Sequence, residues 1–180
     1  MIRLRFVTGD DWISNAIRVG ERDGWCTHVE AVMPDRTLLG AHLDGGVQAR
    51  PAGYDEGKAT RELIVDLHEE NCFGALSVGT PQDIAAQRCR DRFYDFLRAQ
   101  LGKPYDLTAL AGAAFDRDWH RADSWFCSEL QAAALECCGY LPRLAAVDSH
   151  VSPRDLLLVL SGRVDIPNMA GVPLIPGGNP

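Results

Sequence analysis

Between Thr80 and Gly102 the chain carries helix signals at both ends and along one face. Thr80 is a capping residue type, Pro81 suits the first helical position, and Asp83 favours the positive end of the helix dipole. Ala85, Cys89, Phe93, Phe96 and Leu97 form one apolar stripe at helical spacing. Leu101 ends it, and Gly102 offers the left-handed stop. A helix this well marked divides the chain. Upstream of it the apolar pattern mostly has period two. Ile2, Leu4 and Phe6 share one face of a strand expected over 2–7. Residues 26–33 read as a second strand, turned by Pro34-Asp35 into a partner over 37–43. Gly45-Gly46 interrupts that partner as a turn or bulge, and 47–50 resumes it. Leu63 and Val65 lie on one face of a further strand over 61–67, with Ile64 on the other. The exception is Trp12, Ile13, Ala16 and Ile17, whose spacing predicts a helix ending near Gly20. Downstream, residues 107–115 read as a short helix and 116–123 as a charged loop. Residues 127–138 form a helix stopped by Gly139, and Ser152-Pro153-Arg154-Asp155 opens an apolar segment over 156–160. The organisation expected is one domain over 1–165. The last fifteen residues hold four Pro and three Gly and read as an extended tail, 166–180.

Charge and cysteine usage narrow the function classes. Among 180 residues, 18 Lys and Arg face 25 Asp and Glu, a net charge of −7. That balance argues against a dedicated nucleic-acid binder. No apolar run approaches the roughly 20 residues that span a bilayer, so no membrane span is expected. Residues 1–6 alternate charged and apolar side chains, unlike a secretory signal. The six cysteines are Cys26, Cys72, Cys89, Cys127, Cys137 and Cys138. With no export signal and two of them adjacent, the expectation is a cytoplasmic protein with reduced, mostly buried thiols. No CxxC pair is present, so no structural zinc site is expected.

Two residues carry candidate chemistry. Cys127 opens the helix that begins Cys127-Ser128-Glu129-Leu130. A helix start offers partial positive charge and free backbone N–H groups, which stabilise a thiolate and an oxyanion. His28 stands in the apolar strand Cys26-Thr27-His28-Val29-Glu30. Imidazole can take the thiol proton if the two meet in space.

The ordered set is more informative than either residue. A Thr-His-Val strand is followed by a Leu-Leu-Gly-Ala hairpin partner. A Gly-Lys-Pro-Tyr-Asp turn comes next, and then Trp-Phe-Cys-Ser-Glu-Leu opens a helix. Over about residues 4–160, with Gly9-Asp10 early and Ser152-Pro153 late, this set resembles the permuted papain-like amidases of the NlpC/p60 superfamily, YiiX-like branch. The resemblance implies a circularly permuted α+β fold, with the cysteine helix packed on an antiparallel sheet that carries the histidine. It implies Cys127 as nucleophile and His28 as base. It also implies a polar residue on the next strand, just before an alanine, to orient the imidazole. That position is Gly40, which has no side chain to offer. His42 shares the Gly40 face and Glu30 shares the His28 face. His42 is the expected third member on cross-strand distance, with Glu30 the alternative on charge. Tyr105 and Asp106 match the family's turn and read as structural, as does Glu129. His68, His120 and His150 are expected to face solvent. His28, Glu30, His42 and Asp44 are metal-ligand types, but no known short spacing joins them, so neither metal nor cofactor is expected.

The function implied is a thiol hydrolase of amides, whose partner is a peptide, peptidoglycan-stem or lipid-amide substrate. Acyl transfer or thioester hydrolysis of the lecithin:retinol acyltransferase-like kind would use the same pair. A non-catalytic module that keeps the fold, associated with a phage tail or similar assembly, is the alternative from a different class.

Overall fold

The computed structural model describes residues 1–9, 25–69, 72, 81–106, 123–142 and 151–162. These form an α+β arrangement of five strands followed by three helices. The strands are β1 (Ile2–Gly9), β2 (His28–Val32), β3 (Leu38–His42), β4 (Gly46–Arg50) and β5 (Ala59–Leu67). The helices are α1 (Gln82–Ala99), α2 (Cys127–Cys137) and α3 (Pro153–Ser161). The strands make one antiparallel sheet in the order β4-β3-β2-β1-β5.

Period two explains how the sheet divides its side chains. Ile2, Leu4 and Phe6 on β1, Val29 and Ala31 on β2, Leu39 and Ala41 on β3, and Val65 and Leu67 on β5 are all buried in the core with Leu130 and Leu135 of α2. The intervening residues, Arg5, Glu30 and His42 among them, lie on the alternate positions. Arg5, Glu30 and His42 are also buried, and the topology says why. β4 and β5 are the two edges of the sheet, so the loop 51–58 that joins them must cross its interior strands. Its midpoint residues Tyr54 and Asp55 accordingly reach Glu30 on β2 and Arg5 on β1.

The helices follow their sequence punctuation. α1 buries Ala85, Cys89, Phe93, Tyr94 and Leu97, the expected stripe with Tyr94 in place of half-buried Phe96. It begins after Pro81 rather than at it, and Gly102 takes a φ of +82° at the stop. α2 ends at Gly139, with φ +79°. It is buried almost all round and packs on β2, β3, α1 and α3. α3 has Ser152 as its cap, its hydroxyl accepting from the Asp155 N–H at 3.1 Å. The helix expected near residues 12–20, the segment 107–122 and the tail 166–180 lie outside the described residues.

The expectation of wholly reduced thiols is corrected. Cys72 and Cys89 form a disulfide, their Cα atoms 6.5 Å apart. Their 17-residue separation gives no sequence signal, because pairing depends on where α1 lays Cys89 in the core. Cys26, Cys127, Cys137 and Cys138 are free, and only Cys137 among them is exposed. Among the described residues no helix is long and apolar enough to cross a membrane.

Candidate active site

α2 is fixed at its first turn from several sides. Residues 104–106 run beside 124–126: Trp125 N–H donates to Pro104 O and Asp106 N–H to Trp125 O, both at 3.0 Å. The Trp125 indole donates to Gln100 Oε1 at 3.1 Å. Glu129 accepts from the Phe126 N–H at 3.3 Å, closing the helix start as its sequence position suggests. One turn on, buried Gln131 donates to Leu39 O of β3 at 3.0 Å, tying the cysteine helix to the sheet. Cys127 is the first residue of this fixed helix and is only 1% exposed.

Register sets the other half of the site. Ala31 pairs with Leu39 and Val32 with Leu38. Continued along the strands, that register puts Glu30 opposite Gly40 and His28 opposite His42. On the other side of β2, Arg5 lies opposite Glu30 and Val7 opposite His28. The His28 and His42 rings stand 4.9 Å apart. Glu30, fully buried, brings Oε2 to 3.6 Å from His28 Nε2 and 3.7 Å from His42 Nε2. Its Oε1 accepts from Arg5 Nη1 at 2.5 Å, and Oε2 also accepts from the Tyr54 hydroxyl at 3.2 Å. Arg5 completes its fork with Asp55 at 2.9 Å and Glu62 at 2.7 Å.

Gly40 makes room for this arrangement. A Cβ there would stand 3.0 Å from Glu30 Cβ and 3.5 Å from each imidazole Nε2. The space that a polar side chain at position 40 would fill is thus bounded by Glu30 from the strand opposite. Gly40 itself offers no side chain, and Glu30 from the strand opposite reaches both imidazoles with its carboxylate.

The charges follow from these contacts. Burial pushes the His28 ring down, but the Cys127 sulfur and the Glu30 carboxylate outweigh it and hold His28 up at about 10. Burial raises Glu30, yet His28 and Arg5 bring it down to about 2. His42 is lowered to about 3, by burial first and then by His28 and Arg50. At neutral pH the site therefore holds a cationic His28, an anionic Glu30 and a neutral His42. Arg5 is raised despite burial by its three carboxylates, so it stays charged. Tyr105 is raised by burial and by nearby Cys127 and Glu129, so its phenol stays neutral.

No family model matches the chain. No curated protein matches it. Five solved chains match. One is the metalloprotein YiiX of Escherichia coli O157:H7, a DUF1105 protein, at 19% identity and a TM-score of 0.49. The alignment covers 75% of this chain and 63% of YiiX, so the chain spans less than two thirds of that protein's length.

Of the residues singled out in the sequence, His28, Glu30, His42 and Cys127 converge. Asp44 stands apart, exposed and paired with Arg50. His68 is exposed as expected, and His120 and His150 lie outside the described residues. Arg5, Tyr54 and Asp55 belong to the site and carried no such expectation. The one available signal was Arg5 itself, a charge alternating with Leu4 and Phe6 on the sheet's second strand from the edge. A cleft of about 550 Å³ opens beside these groups, lined by His28, His42, Tyr54 and Tyr105 together with Asp55 and Lys58. Cys127 is not among its lining residues.

Proposed function

We propose that the protein is a thiol hydrolase of amides with a permuted papain-like arrangement, in which Cys127 is the nucleophile, His28 the acid–base group and Glu30 the residue that orients His28. What supports this reading is a helix-start cysteine whose sulfur acts electrostatically on the His28 ring, with His28 Nε2 facing the buried Glu30 carboxylate at 3.6 Å. The Cys127 sulfur and the Glu30 carboxylate hold the His28 ring protonated beside the cysteine. The thiolate sulfur would add to the amide carbonyl carbon. Free N–H groups of the first turn of α2 would take the oxyanion. Collapse breaks the C–N bond, and His28 gives its proton to the leaving amine. The neutral ring then takes a proton from water, whose oxygen attacks the thioester and releases acid and thiol. Glu30 stabilises the charged ring throughout. Peptide, peptidoglycan-stem and lipid amides all suit this chemistry. An acyl acceptor other than water would make the same pair a transferase.

The second reading is a non-catalytic module. The burial of Cys127 and its absence from the cleft lining favour it. Alkylation decides between the two. With iodoacetamide near pH 6.5, Cys127 in the folded protein is expected to react before Cys26, Cys137 and Cys138. His28→Ala is expected to slow it by roughly 10²–10⁴, the range of a lost acid–base group. A folded protein whose exposed Cys137 reacts while Cys127 stays intact sinks the hydrolase reading. Substrate profiling with peptide amides against alcohol or amine acceptors then separates hydrolysis from transfer.

A further inference from the structure

Two imidazole nitrogens in the site are buried and unpaired. Among the described residues neither His28 Nε2 nor His42 Nε2 has a hydrogen-bond partner. Both face one oxygen, Glu30 Oε2, at 3.6 and 3.7 Å. These gaps are too long for hydrogen bonds. They suit a shared ligand better. Donors about 2.0–2.1 Å from a tetrahedral metal stand roughly 3.3–3.4 Å from one another. The three donor atoms all lie within 4.8 Å of each other, so small rotamer adjustments bring them to that spacing. The space between them exists because residue 40 is glycine, whose absent Cβ would stand 3.5 Å from each nitrogen.

We propose that His28, Glu30 and His42 form a site for a divalent cation of the zinc class, bound by two imidazole nitrogens and one carboxylate oxygen. The donor set is the borderline nitrogen and oxygen mixture that such a cation takes, and it leaves a fourth position for water. The surroundings fit. Arg5 on Oε1 and the Tyr54 hydroxyl on Oε2 fix the carboxylate from outside, as outer partners of metal ligands do. Glu30, Asp55 and Glu62 surround Arg5, and Asp44 pairs with Arg50, so these carboxylates outnumber the two guanidinium groups they bind. His42 is only 6% exposed, and its one polar contact in the site is aimed at the same point. Cys127 is not part of the group. The site rests on His28, Glu30 and His42 alone, and a metal on His28 Nε2 replaces the proton that this nitrogen carries in the cationic ring.

The test uses the full chain stripped with a chelator. Zn²⁺ is titrated against a chromophoric chelator, and Co²⁺ binding is followed by absorption. One tight equivalent is expected, with visible cobalt bands and no near-ultraviolet thiolate charge-transfer band. His42→Ala removes a ligand, and Gly40→Ala fills the space while keeping all three. Each, with its fold checked by circular dichroism, is expected to weaken binding at least about tenfold. A folded wild-type protein that binds no equivalent overturns the proposal. So does a thiolate band, which would place the metal on sulfur. So does an affinity that either variant leaves unchanged. Where a variant does not fold, the wild-type cobalt spectrum still separates nitrogen and oxygen ligation from sulfur ligation.

Discussion

Single residues in the site have opposed proton affinities, and their signs fix how stability varies with pH. His42 falls from an ordinary 6.5 to about 3, so below 6.5 the unfolded chain takes a proton that the fold refuses. Glu30 falls from 4.5 to about 2, so its contribution is present above 4.5 and lost as pH drops toward 2. His28 rises from 6.5 to about 10, so its contribution is complete below 6.5 and lost as pH climbs to 10. Melting temperature in chelating buffer is therefore expected to peak near the shared ordinary value of 6.5. His42→Ala is expected to flatten the limb just below the peak and leave the alkaline limb in place. A wild-type plateau running through pH 9 would contradict the raised His28. NMR titration probes the orienting role directly. Glu30→Gln is expected to lower the His28 midpoint by about one unit or more, while His42→Ala changes it little. Equal effects of the two would remove Glu30 from its role. His28 and Cys127 are legible in the sequence because each sits in a distinctive local frame, a strand Thr-His-Val and a helix start. The choice between His42 and Glu30 is not. Backbone spacing ranks a cross-strand neighbour nearer than an i, i+2 residue, but the Glu30 side chain bends into the space that Gly40 leaves.

Among the elements, strands β1, β2, β3 and β5 and helices α1 and α2 follow from period and punctuation alone, while the apolar segment over 156–160, whose type the sequence leaves open, forms α3. Where β4 lies depends on contacts that no local pattern encodes. Its first residue, Gly46, has a φ of +69°, and a Cβ there would stand 2.1 Å from Lys103 O. Val47 N–H donates to that same oxygen at 2.8 Å, and Gly102 N–H returns a bond to Val47 O at 2.9 Å. The sequence shows a Gly-Gly turn and a Gly102-Lys103 turn but not that they meet. The meeting joins the sheet's edge to the end of α1 and precedes Tyr105, which lines the cleft. Gly57 is the natural comparison, with a φ of +79° and nothing within 4 Å of its would-be Cβ. Gly57→Ala is expected to cost about 1 kcal/mol, the conformational penalty alone. Gly46→Ala adds a backbone collision and is expected to cost distinctly more, about 3 kcal/mol or above. Urea unfolding of the two variants measures the difference, and equal losses would show that β4 is not held by the Lys103 turn.

For the whole molecule, the disulfide matters most to what the fold requires of its surroundings. The expectation of reduced thiols rests on the lack of a visible export signal, which concerns compartment rather than geometry. The fold supplies the geometry. Cys89 lies fully buried on the inner stripe of α1, and Cys72 is buried beside it, with its sulfur 2.9 Å from Cys138 O. The bond links the chain beyond β5 to the middle of α1, across a separation of 17 residues. Closing a loop of that size removes roughly 3 kcal/mol of unfolded-state freedom in the chain-entropy account. Unfolding with and without dithiothreitol is therefore expected to show a loss of about that size in the wild-type protein. The double variant Cys72→Ala, Cys89→Ala is expected to be indifferent to reductant, since its remaining thiols do not pair. Site and disulfide also separate in this test. α1 packs on α2, the helix that carries Cys127, so loosening α1 could reach the nucleophile. But the first turn of α2 is held by its bonds to residues 104–106, by Glu129 and by the bond from Gln131 to β3. Cys127 alkylation in the double variant, measured well below its melting temperature, is expected to match the wild-type rate. A rate that falls with the disulfide would mean that α1, rather than those local bonds, positions the cysteine.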